Sequence, residues 1–248
     1  MRLLAGNSEL SDILKERIRD GGLILMRYGP GSAGDTLLKQ FLAEKNEEAH
    51  PVYISTYETD KEIRKALDKF GERSDLEVVS FLEDLSEDLE RIMRKDRFRT
   101  EGILVTDLLE ISYNSEHRRE RCDRPQWILA RVSSLSQRQV LPFRLVLDSI
   151  SDLVSWTSEE EVIKRLRILR SALLEKGGVA IMAAPLKWNG FRNVDTTLFD
   201  AILTMAADRS SGTWKRTLTL ENVKGSTELP REWEITTVSD IPLAESLD

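Results

Sequence analysis

Residues 29–36 read GPGSAGDT and have the glycine spacing of a phosphate-binding loop. In the pattern G-x-x-x-x-G-K-[ST], backbone N–H groups at a helix N-terminus surround the phosphates, the lysine neutralises them and the hydroxyl binds magnesium. Gly29, Gly34 and Thr36 occupy the matching positions, and Gly31 lies between the two outer glycines. Asp35 stands where the lysine is expected. The segment therefore has the spacing of a phosphate site whose central charge is inverted.

The carboxylate of Asp35 opposes the binding of a triphosphate. A unit charge about 5 Å from a phosphate oxygen contributes roughly 3 kcal/mol at an effective dielectric constant of about 20, and exchanging a cation for an anion changes the interaction by about twice that. A carboxylate is nonetheless favourable in the first turn of a helix. Two interpretations therefore stay open: a loop that still contacts phosphate or nucleotide, and a tight strand-to-helix turn that binds neither.

Two further acidic residues follow predicted strands and could complete a nucleotide site. Asp148 ends the apolar segment RLVLD at residues 144–148, and such an acid at the carboxyl edge of a parallel sheet could bind magnesium together with Thr36. Glu58 follows the strand predicted at residues 51–55 and could orient an attacking water. Both have structural alternatives, because Asp148 could cap the next turn and Glu58 could be a surface acid.

Alternating apolar segments and glycines predict the elements that would position these residues. Strands are expected at residues 23–26, 51–55, 76–81, 144–149 and 179–183, and helices at residues 10–19, 36–44, 61–70 and 159–174. This alternation is typical of a parallel sheet covered by helices. Period-two patterns at residues 216–220 and 233–238 predict antiparallel strands around a turn near Gly225. Within residues 84–143, apolar spacing indicates helices at residues 85–93 and 127–140, whereas residues 102–109 could be a strand or a buried helix, because periodicity does not assign so short an apolar run.

Length and composition indicate one domain. The chain has 248 residues, of which 40% are hydrophobic, and contains no evident linker or repeat. We therefore expect a single domain over residues 1–240 and a loose tail over residues 241–248. There is no apolar run long enough for a membrane span and no evident secretory signal, so the expected location is cytoplasmic.

Charge and cysteine content disfavour several classes of site. The net charge of −7 argues against a surface built for nucleic acid, although the locally basic residues 117–124 leave that possibility open. Acidic residues interrupt this stretch, which makes a solvated loop the simpler interpretation. The single cysteine, Cys122, excludes an intrachain disulfide, and Cys122 with His117 makes a poor metal site.

Taken together, these segments resemble the KaiC-like branch of the RecA superfamily of ATPases, to which the archaeal recombinase RadA also belongs. The resemblance covers most of the chain. Its segments are residues 10–22, 29–42, 52–58, 144–151, 166–183, 198–203 and 222–225. It implies a RecA-like α/β domain with a mostly parallel sheet, helices on both faces and an antiparallel C-terminal extension. It also implies ATP and magnesium as ligands, Glu58 as the catalytic carboxylate, and Thr36 and Asp148 as magnesium ligands.

The departures from the family pattern concern charge. Asp35 replaces the loop lysine, Thr59 replaces the second carboxylate of a Glu-Glu pair, and Asn222 replaces a hairpin lysine that reaches a neighbouring subunit's nucleotide. The resemblance thus implies that phosphate contacts would come from Gly29, Gly31, Gly34, Asp35, Thr36 and Lys224. With three charges lost, phosphoryl transfer should be very slow or absent.

Three functional hypotheses follow. The first is a pseudo-ATPase, a regulatory or assembly subunit that associates with itself or with an active KaiC-like paralogue. The second is a magnesium-dependent ATP-binding protein or ATPase with residual activity, linked to signalling or nucleic acid, whose missing cation comes from Lys39, Arg27 or a neighbouring subunit. The third is DNA or RNA binding by analogy with recombinases, which the net charge disfavours.

Overall fold

The computed structural model describes Ile18 and residues 21–43, 49–71, 75–80, 142–156, 158–191, 195–209, 214–225, 230–238 and 241–246. The interpretations of residues 84–141, including those of His117 and Cys122, lie outside these residues. The helix predicted at residues 10–19 also lies outside them, apart from Ile18.

The described elements begin as alternating strands and helices and end in antiparallel strands. In chain order they are β1 (Gly22–Tyr28), α1 (Gly34–Ala43), β2 (His50–Ser55), α2 (Asp60–Leu67), β3 (Glu77–Ser80), β4 (Phe143–Asp148), α3 (Ile150–Trp156), α4 (Glu159–Lys176), β5 (Val179–Pro185), α5 (Asp195–Leu198), β6 (Ala201–Asp208), β7 (Lys215–Val223), β8 (Arg231–Val238) and β9 (Ile241–Ser246). Among these elements, every strand predicted from the sequence is present.

The strands described here form one sheet in the order β3-β2-β4-β5-β1-β6-β7-β8-β9. Strands from β3 to β6 in this order pair in parallel, and β7, β8 and β9 continue the sheet in antiparallel pairing. β1 lies in the interior, where Ile24 pairs with Ile181 of β5 and with Ala201 of β6. The predicted fold, a mostly parallel sheet with an antiparallel C-terminal extension, is confirmed.

Apolar side chains cover both faces of β1. Ile24 and Met26 pack into a core with α1, whereas Leu23 and Leu25 pack into a second core with α4. Successive side chains of a strand point to opposite faces, so a strand covered on both sides must be apolar throughout. Burial of each such side chain stabilises the folded chain by about 1.5–3 kcal/mol. Burial on both faces therefore holds β1 in the sheet and sets where the loop after it begins.

An ionic contact fixes the starting point of β1. The guanidinium of Arg170, on α4, donates to both carboxylate oxygens of Asp200 at 2.9 and 2.5 Å. Asp200 also accepts a hydrogen bond from the backbone N–H of Leu23 at 3.0 Å. Asp200 directly precedes β6, and its carboxylate contacts α4 through Arg170 and β1 through Leu23. It therefore fixes the positions of β1 and β6 relative to α4.

Two expectations from the sequence need correction. The helix expected at residues 61–70 ends at Leu67, and a 3₁₀ turn at Asp68–Phe70 leads to Gly71, whose φ is 109°. The tail from residue 241, expected to be loose, forms β9 and pairs with β8. Without β9, β8 would be an edge strand with unpaired backbone N–H and C=O groups. A segment can pair with such an edge through its backbone even when its side chains show no period-two pattern. No helix among the described residues has the length and apolar character needed to cross a membrane.

Candidate functional site

The loop between β1 and α1 is closed by its own hydrogen bonds. The buried Ser32 donates from its backbone N–H and its hydroxyl to the carbonyl of Gly29, at 3.2 and 2.7 Å, and accepts from the N–H of Gly34 at 3.3 Å. Gly31 and Ala33 have φ values of 76° and 65°. Because the side chain of Ser32 satisfies this backbone, the sequence folds into a tight strand-loop-helix unit, as its glycine spacing predicts.

β7 also contacts the loop, from a position about 185 residues away in sequence. The Nε atom of Arg216 donates to the Gly31 carbonyl at 2.8 Å. The ring of Trp214 is so close that a Cβ at Gly31 would lie 3.1 Å from it. Gly31 is therefore required by close packing as well as by its positive φ. Sequence reasoning missed the contacts of Arg216, on β7, and of Trp214, directly before β7, since no local pattern connects them with the loop.

Asp35 and Thr36 lie in the first turn of α1. The side chain of Asp35 is exposed and lines an open pocket of about 660 Å³ at the carboxyl edge of the sheet. Thr36 is half-buried, and it is not among the described residues that line this pocket. The pocket wall includes three carboxylates and one guanidinium, from Asp35, Asp148, Asp152 and Arg216. It is therefore a predominantly acidic pocket where the sequence pattern predicts a phosphate site.

Two tyrosines hold the carboxylate of Asp148, at the end of β4. The hydroxyl of Tyr28, at the end of β1, donates to Asp148 Oδ2 at 2.7 Å, and the hydroxyl of Tyr57 donates to the same oxygen. The ring of Tyr28 packs so closely on Gly34 that a Cβ there would overlap it. The first residue of α1 must therefore be glycine for Tyr28 to reach Asp148.

Burial dominates the electrostatics of this group. Asp148 is 1% exposed, and burial raises the pKa of its carboxyl to about 6, although the two tyrosine hydrogen bonds act in the opposite direction. Burial also raises the pKa of Tyr28 and of Tyr57 above the usual tyrosine range, and the nearby Asp148 raises them further. Both phenols therefore stay protonated at neutral pH and act as hydrogen-bond donors.

Glu58 lies next to Tyr57 but is held by different partners. Its Oε1 atom is 2.7 Å from the Nζ atom of Lys39, and its Oε2 accepts a hydrogen bond from the Tyr53 hydroxyl at 3.2 Å. Lys39 is 4% exposed. The backbone of Glu58 is fixed as well, because Ser55 Oγ accepts a hydrogen bond from the Glu58 N–H and Ser80 Oγ donates one to the Glu58 carbonyl. A carboxylate bound in this way is poorly placed to accept a proton from water.

Thr59, at the position of the second carboxylate in the family pattern, caps α2. Its hydroxyl accepts from the backbone N–H of Glu62, and the Glu62 carboxylate accepts in return from the backbone N–H of Thr59. This capping box satisfies two backbone donors at the start of α2. The residue found in place of an acid therefore has a structural role in the chain.

The cations proposed to replace the loop lysine lie elsewhere within the chain. Lys39 pairs with Glu58, and Arg27 lies on the face of β1 opposite Tyr28, where it pairs with Glu221 at 3.3 Å. Lys224 follows β7 and donates its backbone N–H to the carbonyl of Asp200, near the start of β1. Since β1 rises about 3.3 Å per residue, Lys224 lies roughly 20 Å from the loop along the sheet. Among the described residues that line the pocket beside the loop, Arg216 is the cation, and the sequence analysis did not identify it.

The contacts of Asp148 and Glu58 determine whether this site can hold magnesium and a nucleotide. Asp148 Oδ2 already receives two hydroxyl donors, and Glu58 Oε1 receives an ammonium group. As they stand, these residues do not fit a magnesium nucleotide. Within the described ranges, no group of three or more His, Cys, Asp or Glu side chains is placed to hold a metal ion.

Tyr28 and Tyr57 are two further site residues that sequence reasoning missed. Tyr28 directly precedes Gly29, and Tyr57 directly precedes Glu58. A phenol next to each candidate motif at a strand end is a signal that could have identified them, because parallel strands bring their carboxyl ends to one edge.

Comparison with known proteins extends the likeness to the whole chain. No protein-family model and no curated protein sequence matches this chain. Among solved structures, a KaiC-like protein from the hyperthermophilic archaeon Pyrococcus horikoshii aligns with a TM-score of 0.55 and 17% sequence identity, over 98% of each chain. At this identity the likeness concerns the fold, and it agrees with the RecA-like, KaiC-like architecture predicted from the sequence.

Proposed function

We propose that this chain is a non-catalytic protein of the KaiC-like fold, a pseudo-ATPase that acts as a regulatory or assembly subunit. The observation that carries the proposal is the pair of tyrosine hydroxyls on Asp148, at the strand end where the family resemblance places magnesium. Catalysis of phosphoryl transfer consists largely of positioning and charge stabilisation, for which metal ions and cations are the main groups. Here the carboxylate that would bind the metal has other partners.

The charge of the pocket supports the same conclusion. Asp35, Asp148 and Asp152 line it, with Arg216 as the cation beside the loop. A triphosphate brought into this pocket would meet more negative than positive charge. Glu58, the candidate base, is engaged by Lys39 at 2.7 Å. The loop lysine is therefore replaced by an acid, and the two candidate carboxylates, Asp148 and Glu58, are held by other side chains.

The proposed role is association rather than chemistry. An intact nine-stranded frame among the described residues, combined with an altered site, favours a subunit that is retained for its surfaces. The partner would be a second copy of this chain or an active KaiC-like paralogue. The nucleic-acid hypothesis gains no support, since the locally basic residues 117–124 lie outside the described ranges and the net charge is −7.

Calorimetric titration tests the proposal. The purified chain is titrated with ATP and with ADP, each with magnesium, and its mass in solution is measured with and without nucleotide. We expect no stoichiometric binding at micromolar affinity, no steady hydrolysis, and a mass above that of the monomer, alone or with the paralogue. Micromolar binding accompanied by hydrolysis that falls in Asp148→Ala would overturn the proposal.

A second candidate, an ATP-binding protein with residual activity, is favoured by one observation. The pocket, at about 660 Å³, is large enough for a ligand of nucleotide size, and Arg216 lies beside the loop. This candidate requires magnesium and ATP together to raise the melting temperature of the wild-type chain. It also requires Arg216→Ala to abolish that rise. No shift at millimolar ATP would contradict it.

The substitution Asp35→Lys tests whether the chain lacks only the positive charge of the loop or the whole nucleotide-binding site. If charge alone prevents binding, Asp35→Lys should bind magnesium ATP where the wild type does not. The matched control is Asp35→Asn, which removes the negative charge without adding a cation. Under the proposed function, both variants should fail to hydrolyse ATP, because Asp148 and Glu58 keep their present partners.

A further inference from the structure

The hydrogen bonds at Asp148 join three segments of the sheet edge. Tyr28 ends β1, Tyr57 lies in the turn after β2, and Asp148 ends β4. The two phenol oxygens are 3.0 Å apart and meet at the same carboxylate oxygen. β1 and β2 are not neighbours in the sheet, because β4 and β5 lie between them. The hydroxyl contacts therefore bridge strand ends that backbone pairing does not connect.

A divalent cation at this edge would have a similar geometric role. Magnesium binds carboxylate and hydroxyl oxygens and thereby draws together loops from separate strands. A phenol that donates to a carboxylate uses the lone pairs that such a cation would use. Asp148 is also 1% exposed. A metal ion on Oδ2 would therefore compete directly with the two hydroxyls for that oxygen.

We infer that Tyr28 and Tyr57 form a clamp that takes the place of a divalent cation at Asp148 and holds this edge of the sheet without metal. The clamp deepens the proposed function and rests on it, because a chain that bound a magnesium nucleotide through Asp148 Oδ2 could not keep both hydroxyls on that oxygen.

The surroundings of the clamp are built to maintain it. The ring of Tyr28 lies against Gly34, the residue that allows its close approach to α1. The turn that carries Tyr57 is fixed by Ser55 Oγ, which accepts from the backbone N–H groups of Tyr57 and Glu58 at 3.2 and 2.8 Å. The Tyr57 side chain itself is 43% exposed. Its backbone is therefore held while its ring borders the open pocket.

Manganese binding without nucleotide tests the clamp. The opened variant is Tyr28→Phe/Tyr57→Ala, which removes both hydroxyls and clears the space beside Asp148. We expect millimolar Mn²⁺ to bind it weakly in calorimetry and to raise its melting temperature, because Asp148 Oδ2 is then uncovered in the pocket that Asp152 also lines. Neither effect should occur in the wild type. Both should disappear from the opened variant when Asp148→Asn is added.

The matched control is Tyr53→Phe, which removes a phenol hydroxyl from Glu58 instead of Asp148. It should not create Mn²⁺ binding. The inference is overturned if the wild type binds Mn²⁺ and loses it in Asp148→Asn, or if the opened variant folds by circular dichroism and binds no Mn²⁺. The comparison of the wild type with Asp148→Asn does not use the opened variant, so the inference can fail even if the opened variant does not fold.

The clamp and the proposed function fail separately. No nucleotide is present in the manganese titration, so Mn²⁺ binding to wild-type Asp148 would overturn the clamp alone. Magnesium ATP that bound and was hydrolysed without the participation of Asp148 would overturn the proposed function and leave the clamp in place.

Discussion

The Nζ atom of Lys39, on α1, lies 2.7 Å from Oε1 of Glu58, in the turn after β2. Their side chains are 6% and 18% exposed, so the charges of this pair are largely removed from water. The contact links the helix that follows the loop to the turn that carries Tyr57. Glu58, the candidate catalytic base, therefore has a structural role at the site.

Removing the negative charge of this pair should destabilise the chain strongly. Glu58→Gln leaves Lys39 buried opposite a neutral amide, and breaking a buried pair in this way typically costs about 3–5 kcal/mol. Denaturant unfolding of wild type and variant measures the change. The double variant Lys39→Met/Glu58→Gln should recover part of the loss, since no unpaired buried charge remains.

A control for that measurement is the more exposed pair of Glu161 and Arg165, on α4. These side chains form an i,i+4 contact of 2.8 Å and are 26% and 33% exposed. Arg165→Gln should cost only about 0.5 kcal/mol. Equal losses for Glu58→Gln and Arg165→Gln would contradict the role assigned to Lys39 and Glu58.

Asp148 should make the stability depend on pH. Burial raises the pKa of its carboxyl in the folded chain to about 6, from 3.8 in an unperturbed aspartate. Between these values the folded chain binds more protons than the unfolded chain, so its free energy of unfolding falls as pH rises through this window. This pKa difference of about two units corresponds to roughly 3 kcal/mol of folding stability, which is present at low pH and lost above pH 6.

Asp148→Asn should remove this dependence. Compared with the wild type, the variant should be more stable at neutral pH, by at most about 3 kcal/mol, and nearly equal in stability near pH 4. Denaturant unfolding at several pH values gives the difference between the two chains, in which the contributions of all other titrating groups cancel. A difference that did not change between pH 4 and 7 would refute the raised pKa.

The shared carboxylate of Asp200 should be important for stability. Asp200→Asn keeps the shape of the side chain but removes the charge that Arg170 contacts and weakens the acceptor for the Leu23 N–H. Hydrogen bonds to charged groups contribute about 1.5–3 kcal/mol, so we expect a loss of roughly 2 kcal/mol in denaturant unfolding. Arg167→Ala, on the exposed face of α4, should change stability by no more than about 0.5 kcal/mol.

Gly34 should not tolerate a side chain. In Gly34→Ala the new Cβ would overlap the Cβ and Cγ atoms of Tyr28, which would have to move and would no longer reach Asp148. Overpacking of this kind typically costs about 1–3 kcal/mol. Thermal unfolding measures the loss, and Ala33→Gly is the control at the preceding position, where φ is 65° and no side chain is added. Equal melting temperatures for Gly34→Ala and wild type would contradict the packing described.

Local sequence patterns determined the elements of this chain and their approximate order. The apolar segment ending in Asp148, the glycine spacing of residues 29–36 and the period-two segments near Gly225 each depend on residues close together in sequence. Apolar periodicity reports which faces are buried, and glycines mark where the chain must turn. These patterns predict a parallel sheet with antiparallel C-terminal strands, the family resemblance implies a RecA-like, KaiC-like architecture, and the structure confirms both.

Tertiary structure alone decided the partners of the site residues. The contacts of Tyr57 with Asp148, Lys39 with Glu58, and Arg216 with Gly31 span 91, 19 and 185 positions. Sequence patterns show that a charged or hydroxyl group ends a strand, but not which group from another strand it meets. That depends on the strand order and on how side chains pack at the sheet edge. The inverted charge at Asp35 could be seen in the sequence, whereas the tyrosines on Asp148 required the fold.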